Sequence, residues 1–139
     1  MWPFRAKAAA EGPPGKASVV GRRGEKLARG FLKRQGLKIL ATNYRCPAGE
    51  ADLIALDRST RAELGAETIA FVEVKTRRSD RHSEPESAVN AAKRRRMLRV
   101  ASYYLNAHQT ENLNARFDVL SVILREDDKP QIKYIPNAF

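Results

Sequence analysis

Gly49-Glu50-Ala51-Asp52-Leu53-Ile54-Ala55-Leu56-Asp57, followed after a polar connection by Thr68-Ile69-Ala70-Phe71-Val72-Glu73-Val74-Lys75-Thr76-Arg77, decides the fold. Both stretches read as strands, because apolar residues recur at every second place. These are Ala51, Leu53 and Ala55 in the first, and Ala70, Val72 and Val74 in the second. A strand sends successive side chains to opposite faces, so Glu50 shares a face with Asp52, and Glu73 shares one with Lys75. Charged groups set in such apolar strands are expensive to bury unless they are paired or hold a metal. The two strands therefore carry a candidate site.

Working outward, Leu37, Ile39 and Ala41 alternate into a preceding strand that runs toward Tyr44, and Cys46-Pro47-Ala48-Gly49 separates it from the next. Arg58 to Glu67 is polar, contains Gly65 and reads as a turn. Three strands with short connections make an antiparallel meander. Before them, Ser18 to Gln35 has a helical stripe of Val20, Leu27, Ala28, Phe31 and Leu32, and Gly36 suits a left-handed stop. Gly24 lies near that stripe and costs helix propensity, which is tolerable where another backbone comes close.

Beyond the meander, Pro85 fits the first turn of a second helix running to about Asn106, with Val89, Met97, Val100, Ala101 and Tyr104 as its inward stripe. Lys93 falls on that stripe; Arg95 and Arg99 point elsewhere. Strands at Ala115–Leu124 and Gln131–Ile135 follow, joined through Asp127-Asp128 and Lys129. The expected fold is α/β, a mixed five-stranded sheet flanked by helices, with the fourth strand parallel to the third. Residues 1–17, with Pro3, Pro13, Pro14 and Gly15, read as a flexible basic N-terminal arm; residues 18–139 form the domain.

The chain has 26 Lys and Arg against 16 Asp and Glu, a net charge of +10 that favours polyanions, with nucleic acid first among them. Its single cysteine, Cys46, excludes an internal disulfide and a cysteine-based zinc site, and points to a reducing, cytoplasmic setting. No apolar run is long enough to span a membrane, and the N-terminus lacks the apolar region of a secretory signal.

Phosphodiester hydrolysis needs a nucleophilic water and a way to hold charge on phosphate oxygens, and one or two Mg²⁺ ions bound by carboxylates supply both. Magnesium asks for only a few hard oxygen ligands. Asp52 and Glu73 are the best pair, the Val74 carbonyl is a further oxygen, and Lys75 would orient the attacking water.

Several motifs together carry a resemblance. They are Gly24-Glu25-x-x-Ala28, Asn43-Tyr44-Arg45, Gly49-Glu50-x-Asp52-Leu53-Ile54-Ala55, Phe71-Val72-Glu73-Val74-Lys75-x-Arg77, Lys93 and Arg116-Phe117-Asp118-Val119. The set is similar to the YraN family of bacterial proteins, which itself resembles archaeal Holliday-junction resolvases of the PD-(D/E)XK nuclease superfamily. It covers about Gly21 to Phe139. The resemblance implies a restriction-endonuclease-like core, with Asp52 and Glu73 as Mg²⁺ or Mn²⁺ ligands and Lys75 as the catalytic lysine. It further implies that Glu25 faces the site and supports a metal, and that Lys93 turns toward the phosphate. Gly49-Glu50 stands where the superfamily name has Pro. DNA, branched or damaged, is the implied substrate class, and a homodimer the implied assembly.

Lys93, Arg94, Arg95 and Arg96 on the second helix, with Arg77 and Arg78 at the end of the third strand, form the expected nucleic-acid-binding rim. Other residues have plainer readings. Glu50 is an exposed partner for Arg45, Asp118 neutralises Arg116, and Tyr103 and Tyr104 pack in the core and at its edge. Glu25 has an ordinary alternative as a solvated helix carboxylate beside Arg22 or Arg29. Two functional readings follow: a Mg²⁺-dependent endodeoxyribonuclease, or a catalytically silent nucleic-acid-binding or DNA-processing adaptor module on the same fold.

Overall fold

Two helices cover opposite faces of one twisted sheet in the computed structural model, which describes residues 19–78, 91–110, 112–126 and 129–139. The elements are α1 (Val19–Arg34), β1 (Lys38–Cys46), β2 (Gly49–Asp57), the single-turn α2 (Arg61–Leu64), β3 (Thr68–Arg78), α3 (Ala91–Ala107), β4 (Asn114–Leu124) and β5 (Gln131–Ile135). The strands lie side by side in chain order. β1–β2 and β2–β3 are antiparallel, β3–β4 parallel and β4–β5 antiparallel. This is the expected mixed α/β sheet with a restriction-endonuclease-like core. The arm at 1–17, the helix start at Pro85 and Val89 lie outside the described residues.

Each helix covers its face with the stripe the periodicity gives it. Ala28 and Leu32 of α1 pack on Leu53, Ala55, Ala70, Val72 and Leu120. Met97, Val100, Ala101 and Tyr104 of α3 pack on Ile54, Leu56, Ile69 and Phe71. Tyr104 anchors α3 edge-on, its ring centroid 5.2 Å from that of Tyr44 and 5.8 Å from that of Phe71. Tyr103, next to it, is 44% exposed on the outer surface and takes no part in the core, because one step of helix turns it away by about 100°.

α1 ends where Gly36 takes φ +92°. Leu37 N–H donates to Leu32 O at 3.0 Å and Gly36 N–H to Lys33 O at 3.0 Å, the paired bonds that close a helix on a left-handed residue. Gly24 is needed for close approach: a Cβ there would lie 1.8 Å from Thr76 Oγ1. The neighbour is thus a β3 side chain, where the sequence suggested another backbone.

Strict alternation fails in two places. β1 shifts register between Ile39 and Ala41, and Asn43 has φ +49°. Ala41 therefore joins Leu40 and Tyr44 on the α3 face, although alternation placed it with Leu37 and Ile39. Ala51, paired with Tyr44, likewise faces α3, away from Leu53. The Arg58–Glu67 connection also differs from a plain turn. A 3₁₀ turn at Arg58–Thr60 leads into α2, started by the Asp57 carboxylate accepting from Ser59 N–H and ended at Gly65.

Candidate functional site

β2 and β3 stop pairing at Leu53 and Val72, and the site opens where they part. Asp52, the next residue on β2, replaces the lost backbone acceptor with its side chain: Val74 N–H donates to Asp52 Oδ2 at 2.8 Å. A cleft of about 310 Å³ lies beside it, lined by Asp52, Glu73, Lys93, Arg96, Met97 and Val100, among others. Gly49 forms part of the wall, with φ +142°, and a Cβ there would sit 3.2 Å from Val100. A glycine keeps the cleft mouth open at a backbone angle other residues rarely take.

Burial pushes the Asp52 carboxyl up to about 6; the Val74 hydrogen bond lowers it, and the negative charges of Glu73, Glu25 and Glu50 raise it further. Glu73 is 14% exposed, and its Oε1 accepts from Lys93 Nζ. Its other oxygen, Oε2, is buried with no hydrogen-bond partner among the described residues. A buried carboxylate oxygen left without a donor is costly. Hard carboxylate oxygens that repel one another, one of them unpartnered, fit a divalent cation of the magnesium type. Asp52 and Glu73 are the residues that could hold it. No three His, Cys, Asp or Glu side chains among the described residues form a ready-made metal cluster.

The remaining sequence candidates fall at graded distances from this centre. Lys93 and Arg96 line the cleft itself. Lys75 stands two residues past Glu73 on the same face of β3, half-buried and outside the cleft lining. Glu25 does not line the cleft either; Asn43 Nδ2 donates to its Oε2 at 3.2 Å, and no arginine of α1 pairs with it. Its charge still reaches Asp52. Arg94 and Arg95 are exposed on α3, and Arg77 and Arg78 end β3. Glu50 lines the cleft as well, and its exposed side chain pairs with Arg45 at 3.3 Å, as expected of it.

Sequence reasoning left two features unassigned. One is Asn43 as the residue that holds Glu25; its signal was the residue type, since asparagine tolerates the left-handed angle it adopts. The other is Asp57. Arg116 bridges Asp57 (Nη1 to Oδ2, 2.9 Å) and Asp118 (Nε to Oδ1, 2.9 Å), and Asp118 also accepts from Tyr134 and from Asn137 N–H at 2.8 Å. Asp118 therefore has the structural role read for it, and Arg116 has a second acceptor, Asp57, 59 residues away, that no local pattern reveals.

A five-stranded mixed sheet between two helices, with a cleft where its second and third strands part, defines an α/β protein with a restriction-endonuclease-like core. Residues 24–122 match the uncharacterised protein family UPF0102, the YraN family, and the chain belongs to it. Relatives carrying that family description include one from Syntrophotalea carbinolica, 43% identical over 86% of this chain and 90% of its own length. Others come from Clostridium acetobutylicum, 43% identical over 84% and 89%, and Geobacter sulfurreducens, 38% identical over 87% and 88%. No helix among the described residues is long and apolar enough to cross a membrane.

Proposed function

We propose that this protein is a Mg²⁺- or Mn²⁺-dependent endonuclease acting on DNA phosphodiesters, with branched or damaged DNA as its substrate class. The observation that carries the reading is the buried Glu73 Oε2, without a hydrogen-bond donor among the described residues, in the cleft that also holds Asp52. Asp52 and Glu73 hold the cation, with the Val74 carbonyl as a further ligand and Glu25 supporting from α1. A divalent ion bound there lowers the pKa of water and stabilises charge on the phosphate. Lys75, next along β3, orients the attacking water and faces the developing negative charge. Lys93 and Arg96 grip the phosphate within the cleft, while Arg94, Arg95, Arg77 and Arg78 track the flanking backbone.

A second reading has its own observation: Lys93 pairs with Glu73 and balances its charge from within the protein. A module that binds nucleic acid or a DNA-processing partner without cutting would need nothing more. The experiment that separates the two is incubation with supercoiled, single-stranded and four-way-junction DNA in Mg²⁺, Mn²⁺ or EDTA. Metal-dependent cutting that is lost in Lys75→Ala supports the enzyme. Retardation without cutting selects the module, and unchanged cutting by Lys75→Ala removes the mechanism.

A further inference from the structure

The two oxygens of Glu73 are treated unlike. Oε1 takes the Lys93 ammonium, and Oε2 is buried without a hydrogen-bond donor among the described residues. Lys93 extends from α3 one turn before Met97, whose side chain is fixed against the sheet. The Lys93 side chain is itself 28% exposed at the cleft, twice the exposure of the carboxylate it meets. The ammonium therefore sits on a flexible stem, with protein on one side and the open cleft on the other.

We propose that Lys93 is a tethered counter-cation for Glu73: an incoming divalent ion displaces it, and a phosphodiester then takes it up. Metal and nucleic acid would thus load the cleft cooperatively. The proposal rests on reading the cleft as a metal and phosphate site. Of the three carboxylates lining the cleft, Glu50 has Arg45; Asp52 and Glu73 are the other two, and Lys93 balances one of them. A divalent ion balances both and repels the nearby ammonium. A phosphate at the cleft mouth gives that ammonium a new partner, so each ligand favours the other by the same factor. Lysine suits the exchange because its ammonium is a compact point charge on a flexible stem; an arginine would grip the carboxylate with a planar fork and release it less readily.

The test is Mn²⁺ binding to the full chain, followed by electron paramagnetic resonance with and without a short DNA duplex, in a Lys75→Ala background that prevents turnover. Lys93→Met is expected to bind Mn²⁺ about tenfold more tightly without DNA, and to gain correspondingly less from DNA than the parent chain does. Lys93→Arg is expected to bind Mn²⁺ more weakly than the parent. Thermal melting provides a second readout: metal-free Lys93→Met melts below the parent, because Glu73 is left unbalanced, and gains more from Mn²⁺. Equal Mn²⁺ affinity in the parent and Lys93→Met, with binding abolished by Glu73→Gln, would overturn the Lys93 inference and leave the metal-site reading standing. Absence of Mn²⁺ binding in the parent and in Lys93→Met alike would overturn both.

Discussion

β2 carries two acidic centres, Asp52 and Asp57, and they are built to opposite specifications. At Asp57 every carboxylate oxygen has a donor: Ser59 N–H and Oγ at 3.0 and 2.6 Å on one side, Arg116 at 2.9 Å on the other. Asp118, its neighbour across Arg116, is fully buried and equally well supplied. At the Asp52 end, among the described residues, one backbone N–H and one lysine serve two carboxylates, and Glu73 Oε2 goes without. A complete network of this kind holds strands in register. An incomplete one, beside a cleft, is a place for something else to bind. The two centres also titrate in opposite directions. Burial lifts Asp52 to about 6, whereas at Asp57 a smaller burial penalty is outweighed by hydrogen bonds from Ser59 and Arg116, which hold its carboxyl below the ordinary range.

The contrast can be broken first at its finished end. Asp118→Ala leaves Arg116 with Asp57 alone and takes the buried acceptor from Tyr134 and from Asn137 N–H, and should cost about 3–5 kcal/mol in urea denaturation. Divalent-ion binding in the part of the population still folded should be unchanged. A loss within surface noise would mean that the network is ornamental.

The next effect has the opposite sign. Because the folded pKa of Asp52 is raised, the fold is favoured below the ordinary carboxylate range near pH 4, and that advantage disappears as pH rises through about 6. Asp52→Asn should therefore stabilise the metal-free protein at pH 7 by up to about 3 kcal/mol, with little gain at pH 4. At Asp57 the folded pKa is depressed, so its contribution is present at neutral pH and lost as pH falls through the folded value. Asp57→Asn should destabilise at pH 7 and progressively less toward acid. Matching slopes for the two variants in denaturation curves across pH would erase the distinction.

Gly24→Ala tests how α1 is held against β3, and with it the placement of Glu25. The added methyl meets Thr76 and should cost about 1–3 kcal/mol. Thr76→Gly combined with it should recover part of that loss, which a double-mutant cycle would read as coupling. The smallest effect belongs to Glu50→Gln: its pair with Arg45 is exposed, and removing it should move stability by less than about 1 kcal/mol.

Much of this was legible in the chain itself. Helical stripes and strand runs gave the element order and sheet pairing, since each face buries residues at its own period. Lys93 was legible as an inward lysine because α3 places it one turn from Met97 on a buried stripe. Ala41 leaves the face of Leu37 and Ile39 because the β1–β2 pairing shifts register between Ile39 and Ala41, and Ala51 faces α3 opposite Tyr44; neither departure leaves a mark in the hydrophobic pattern. The Asp57 network was invisible for a different reason: it joins β2, β4 and β5 across long sequence separations, and only the assembled sheet brings them together.

The unfinished centre can be titrated itself, by calorimetry of Mg²⁺ added to the metal-free protein. Saturable binding to the unsubstituted chain is expected at pH 7, with its loss in the Asp52→Asn, Glu73→Gln double variant, which should remain folded. Equal binding by both proteins, or saturable binding by neither, would contradict it.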